Sequence, residues 1–427
     1  MYTFLLCGIV LFIFAWIKFK NKVFYPSVIF CFMWGMNCIF HFLIYEGWVN
    51  PLTDISTFDY AYMDTYIIYF TMATIVGFSL AHIFFSNKRI RICFSVDFMN
   101  TILSKYKWVM WLNFWGGILR ILVMVALVGF SFSNVIDYRL AANEMMMVGQ
   151  SSFVGLVFRL TAYINMLATL YISLSGLKTG MGYLNMKETL KLFILFAPVQ
   201  LATGGRLFIL YFVIFYFGCF MLGRGISIYS TRKKWLLPEE RRVLIKMAMI
   251  ISPLVVAISL SRGDGGVNNI SKYEGTFLDS FTYICDGTMV TDKCMEFFSG
   301  GQTLKTANGY QTFVGMTNPA YEFRAYKHNT VFASSVYTII YPLFLDFGYV
   351  GSLIAWMIIA FILEMIALKS LQKMTIIRFI IFAMLLKMCY ESILTNPFAS
   401  NLPFFELILL LAILYKPIFG RFERGTR

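Results

Sequence analysis

The feature that most constrains this chain is a succession of apolar segments of roughly 15 to 23 residues, the length a helix needs to cross a hydrocarbon core about 30 Å thick. They fall near 2–17, 23–45, 65–85, 108–130, 153–176, 189–203, 206–222, 243–261, 349–368, 376–394 and 403–419. With 59% of 427 residues hydrophobic and 14% charged, the chain carries more apolar surface than soluble domains of ordinary size can hide, so lipid is the expected solvent. The predicted fold is an all-α polytopic membrane protein with about eleven transmembrane helices and one large extracytoplasmic loop. Spans one to eight occupy 1–261, the loop with an interfacial helix 262–348, and spans nine to eleven with a terminal tail 349–427. The first span reads as a retained helix and not a signal peptide, because Lys18, Lys20 and Lys22 follow it instead of preceding it.

A net charge of +14 suggests a polyanionic partner until the charges are placed. Segments 18–22, 86–107, 177–191, 223–246, 369–378 and 416–427 alternate with the others as cytoplasmic loops should. They hold 25 of the 36 Lys and Arg and only five of the 22 acids, a net +20 against −6 for the remainder. This asymmetry is the positive-inside pattern, and it needs no nucleic acid. It predicts an extracytoplasmic amino terminus and a cytoplasmic carboxyl terminus. The long loop opens as irregular structure with Arg262-Gly-Asp-Gly-Gly-Val-Asn-Asn. Thr330 to Leu345 is apolar again, but a full span there would move Lys369, Lys373 and Arg378 outside, so a helix in the outer interface is expected. Only Cys285 and Cys294 of the eight cysteines fall in this loop. They are either a disulfide pair or two free thiols.

Several chemistries lack their residues. With three histidines there is no HExxH pair and no Cys/His cluster of zinc spacing, so no metal is expected. No Walker A loop or GxGxxG joins a strand to a helix, and no cofactor is expected. Arg262-Gly-Asp and Asn269-Ile-Ser271 are short patterns of the kind that recur by chance.

The cations left outside the cytoplasmic segments are more informative. They are Arg120, Arg139, Arg159, Arg206, Arg262 and Arg324, with Lys272, Lys293, Lys305, Lys327 and Lys387. Arginine is suited to bidentate contact with phosphate, and Arg139, Arg159, Arg206 and Arg262 fall near the predicted outer ends of spans. Arg120 lies mid-span, where an unpaired charge is costly and a partner is expected. Thr203-Gly204-Gly205-Arg206 joins two spans with almost no loop. Free N–H groups at a helix start, its dipole, and two glycines permitting close approach would make an anion site there. The alternative is a tight hairpin with an arginine reaching the interface.

These residues resemble the bacterial O-antigen polymerases, the oligosaccharide repeat-unit polymerases. Members of that family are multispanning proteins with a short Gly/Ser-Arg turn at the outer face, similar to Thr203-Gly204-Gly205-Arg206. They also have a long periplasmic loop ending in an aromatic helix and a Gly-x-x-Gly lead-in to the next span. Tyr341-Pro342-Leu343-Phe344-Leu345-Asp346-Phe347-Gly348-Tyr349-Val350-Gly351 looks like that arrangement. Arg139 and Gly155 match an Arg, fifteen residues, Gly pattern of some members. His328-Asn329 with Gly348 to Gly351 is similar to the related O-antigen ligases, the runner-up reading; a lipid-linked oligosaccharide flippase is a third.

The resemblance implies a membrane-embedded lipid-linked-sugar glycosyltransferase of the bacterial inner membrane. Its substrates would be undecaprenyl-diphosphate-linked oligosaccharides, with membrane lipids and a chain-length regulator protein as partners. Diphosphate binding would fall to Arg206, Arg139, Arg159, Arg262 and Arg324, with Gly204 and Gly205. His328, Glu322 or Asp346 would serve as the base or orienting acceptor for the attacking hydroxyl. Tyr310, Tyr321 and Tyr326, in an aromatic cluster with Phe313 and Phe323, would stack on sugar rings, or else form the loop's own small core.

Overall fold

The computed structural model describes residues 2–19, 25–45, 62–85, 95–128, 153–182, 184–201, 211–231, 238, 240–246, 249, 287–288, 291–292, 295–296, 310–313, 324–327, 330–333, 338–393 and 397–400. The helices are α1 (Tyr2–Phe19), α2 (Pro26–Tyr45), α3 (Met63–Phe85), α4 (Val96–Lys105), α5 (Trp108–Val128), α6 (Phe153–Met181) and α7 (Met186–Leu201). A π-helical turn, Val213–Phe217, leads into α8 (Gly218–Thr231). Beyond it come α9 (Tyr310–Phe313), α10 (Ile340–Gln372), α11 (Ile376–Glu391) and α12 (Pro397–Ser400). An antiparallel hairpin pairs β1 (Arg324–Lys327) with β2 (Thr330–Ala333), in the register Arg324 to Ala333 and Lys327 to Thr330. Among the described residues, four helical stretches are long and apolar enough to cross a membrane: Pro26–Leu43, Met63–Phe85, Gly155–Met181 and Ile340–Gln372. Shorter apolar helices cover Tyr2–Lys18, Trp108–Val123 and Val213–Gly225. The described residues are those of a helical membrane protein.

Contacts gather into two compact units, one of Met1–Cys93 with Leu278–Arg427 and one of Phe94–Phe277. The first is built on α1, α2, α3, α10 and α11. Its centre is a stack of rings from three helices: Phe30 lies 4.7 Å from Trp356 and Phe70 5.4 Å from Trp356, with Trp34 4.8 Å from Phe70. Indole N–H groups must be satisfied when buried. Trp356 donates to Thr74 Oγ1 at 2.8 Å and Trp34 to Ser392 Oγ at 3.0 Å. Gly77 has no side chain because one would meet the Met357 carbonyl, so α3 and α10 approach backbone to backbone.

Between Ile340 and Gln372 the helix breaks at Gly348, which has φ 67° and ψ −170°, a conformation open essentially to glycine alone. Before the break, Ile340 to Asp346 are buried, with Leu343 fully so. Within the stretch Thr330 to Leu345, where an interfacial helix is expected, Thr330–Ala333 form β2 and the helix starts at Ile340. Pro342 is tolerated because first-turn N–H groups have no helical acceptor.

The second unit uses the same device twice. Gly176 and Gly180 on α6 and Gly223 on α8 each leave room for a backbone carbonyl of the facing segment: Tyr216, Phe220 and Leu177 respectively. Gly117 on α5 similarly admits the Pro198–Val199 backbone of α7. Pro198 sits inside α7 and removes a helical donor. In the turn before it, Asn113 donates to the Leu195 carbonyl at 3.0 Å and to that of Phe196 at 3.4 Å, while accepting from Asn165 at 2.9 Å. A buried ion pair of Arg224 and Glu240 ties residues 240–246 to α8, and Glu240 also accepts from Leu184 N at 3.4 Å.

Candidate functional site

Around the Gly348 break, the first unit gathers polar groups from distant parts of the chain. Asp346, two residues before the break, accepts from the Thr312 backbone N–H and hydroxyl, both at 2.6 Å through Oδ2. This fixes α9 against the first turns of α10. Asp346 is thus placed as an anchor of the segment that carries Tyr310. Immediately after the break, Ser352 Oγ bonds Tyr66 OH at 2.7 Å, and the Tyr349 ring meets Tyr66 edge-on at 5.0 Å.

Three more contacts hold residues 287–292 to the helices. The fully buried Asp292 accepts from the N–H groups of Tyr62 and Met63, at 2.9 and 2.7 Å, so it caps α3 at the positive end of its dipole. Thr288 donates to Asn37 at 3.0 Å, and Thr291 shares a hydrogen bond with Thr338 at 2.9 Å. Ile339 N donates to the Ser392 carbonyl at 2.8 Å, which fixes the start of α10 on α11. The start of α10, the end of α11 and parts of the long loop are therefore locked together by buried hydrogen bonds, each costly to leave unmade.

A second constellation escaped sequence reasoning. Glu364, fully buried on α10, accepts from Ser27 N at 3.0 Å, Ser27 Oγ at 2.6 Å and His82 Nε2 at 2.6 Å. Tyr25 packs edge-on to the His82 ring at 5.1 Å. Ser27 follows Pro26 at the start of α2, where backbone donors lack helical partners, so a carboxylate there caps the helix. The signal was present: a glutamate inside an apolar span is itself conspicuous.

In the second unit Arg120 is 4% exposed. Its Nε donates to Thr161 Oγ1 and its Nη2 to the Phe158 carbonyl, and Cζ sits 4.7 Å from the Phe158 ring centroid. The expected partner exists, but it is neutral. Lys387, the other mid-span cation, pairs with Glu391 at 3.1 Å one turn on.

The other sequence-selected residues divide plainly. Arg159 is exposed on α6, with Gly155 one turn before it. Arg324 and Tyr326 lie on β1 and Tyr310 opens α9. Arg139, Gly204, Gly205, Arg206, Arg262, Tyr321, Glu322, His328, Cys285 and Cys294 lie outside the described residues, as does the last expected span, 403–419. Phe313, of the same aromatic cluster, meets Phe398 of α12 at 5.1 Å.

The class defined by these observations is a helical membrane protein with buried polar sites inside its apolar helices. Comparison with protein-family models, curated proteins and solved structures finds no match for the chain.

Proposed function

We propose that this protein polymerises undecaprenyl-diphosphate-linked oligosaccharide repeat units at the outer face of the bacterial cytoplasmic membrane, by metal-independent inverting glycosyl transfer. In this reading the chain crosses the membrane about eleven times, with its amino terminus outside. The observation that carries it is the Gly348 break. An aromatic helix, buried from Ile340 to Asp346, ends at a glycine-only conformation and a long apolar helix begins. This happens where the chain resembles the aromatic helix and Gly-x-x-Gly lead-in of the polymerases. Asp346 and Asp292 support the reading further, because they hold parts of the long loop against the helices that would flank a site.

The chemistry is a displacement at the anomeric carbon. Its bond to the diphosphate oxygen breaks, and a bond to a hydroxyl oxygen of the second repeat unit forms. The hydroxyl proton passes to His328, with Glu322 or Asp346 as the alternative acceptor, and undecaprenyl diphosphate leaves with the electron pair. Fixed cations near the outer face, Arg206 first among them, oppose the charge that develops on the leaving group. The test is the saccharide ladder from cells with and without the gene. Loss of the ladder with one repeat unit still attached is the expected result. Loss of even the single unit assigns ligase activity instead, and retention of lipid-linked units on the inner leaflet assigns transport.

A further inference from the structure

Arg120 lies within the apolar helix α5, and its surroundings are arranged to hold a guanidinium without neutralising it. Gly116, one turn earlier on α5, lets the Thr161 side chain come close, since a β-carbon there would meet the threonine methyl at 2.9 Å. Thr161 spends its own proton on the Val157 and Phe158 carbonyls, at 2.8 and 3.0 Å, which turns its oxygen toward Arg120 as an acceptor. With Nη2 on the Phe158 carbonyl and the plane against the Phe158 ring, the guanidinium is fixed on three sides. Every one of these partners is neutral.

Among the described residues no carboxylate pairs with Arg120, and its Nη1 has no acceptor while not being fully enclosed. Eight residues separate Arg120 from the end of α5, about 12 Å at helical rise. Its neighbours Leu119 and Leu122 face outward, 45% and 59% exposed. A positive charge at that depth needs a counter-anion. With Nε and Nη2 held, Nη1 remains to donate to an oxyanion, and a phosphate oxygen is such an acceptor.

We propose that Arg120, steadied by Thr161 and Phe158, is an intramembrane binding site for a phosphate-bearing lipid headgroup. The depth favours a phosphate carried in by a hydrocarbon chain over one arriving from water. The inference rests on the polymerase reading only for the kind of lipid, and binding is measured apart from polymer formation. Purified full-length protein is probed by native mass spectrometry and thermal shift with undecaprenyl phosphate, undecaprenol, phosphatidylglycerol and inorganic phosphate.

Undecaprenyl phosphate should bind and raise the melting midpoint, and neutral undecaprenol should do neither. Arg120→Gln should weaken phosphate-lipid binding at least ~10-fold, and Arg120→Lys should fall between, because an ammonium keeps the charge and loses the fork. Equal binding of undecaprenol to the wild-type protein overturns the proposal, and that result needs no variant to fold. So does unchanged binding by folded Arg120→Gln. Preference for phosphatidylglycerol upholds the lipid-phosphate site and assigns it to bulk lipid, whereas preference for inorganic phosphate overturns the lipid assignment in favour of a soluble anion. If polymer formation proves absent from cells while undecaprenyl phosphate still binds through Arg120, the function falls and this site stands.

Discussion

A guanidinium offers two parallel donors in one plane and an ammonium does not, which makes Arg206 the sharpest single-residue test of the proposed chemistry. If it grips the diphosphate at a helix start, Arg206→Lys should lower polymer formation at least ~10-fold, about 1.4 kcal/mol, and Arg206→Ala should nearly abolish it at normal membrane levels. Full-length polymer from Arg206→Ala, read on the saccharide ladder beside an immunoblot, would reduce the turn to a hairpin. Glu364 makes a different demand, because its carboxylate serves three donors on buried residues. Glu364→Ala should cost about 3 kcal/mol or more of stability, with Glu364→Gln intermediate since its carbonyl still accepts from Ser27. The melting midpoint of the solubilised protein reports this, and an unchanged midpoint in Glu364→Ala would remove the capping role.

Among the elements, the helices that sequence located best are those whose apolar run is also their full extent. The expected spans 65–85 and 376–394 became Met63–Phe85 and Ile376–Glu391. Apolar length says nothing about how a helix is interrupted. The π-turn at Val213–Phe217, the proline inside α7 and the break at Gly348 are interruptions that apolar length does not register. The glycine at 348 was noticed for its spacing, whereas its backbone conformation is what requires it. No atom lies near enough to obstruct a β-carbon there, so the cost of Gly348→Ala is conformational, roughly 1–3 kcal/mol. That variant should melt lower and, under the proposed function, make less polymer. Wild-type behaviour in both measurements would show that the break is dispensable.

For the whole molecule, charge placement makes the most direct prediction. Reporter fusions after residues 55, 145 and 300 should behave as extracytoplasmic, and fusions after 95, 235 and 425 as cytoplasmic. A cytoplasmic signal at 300 would overturn the topology and the proposed site together. The sequence by itself determined the solvent: long apolar segments with few charges leave lipid as the medium, and in lipid a chain that cannot close a barrel satisfies its backbone within helices. It also marked Arg120 as needing a partner and Gly348 as part of a Gly-x-x-Gly lead-in to a span. Tertiary structure decided which groups meet. That Glu364 caps α2 from 337 residues away, that Asp292 caps α3, and that Arg120 rests on neutral oxygens are outcomes of helix packing. No spacing in the sequence encodes them, because a buried polar group is satisfied by whichever element folding brings beside it.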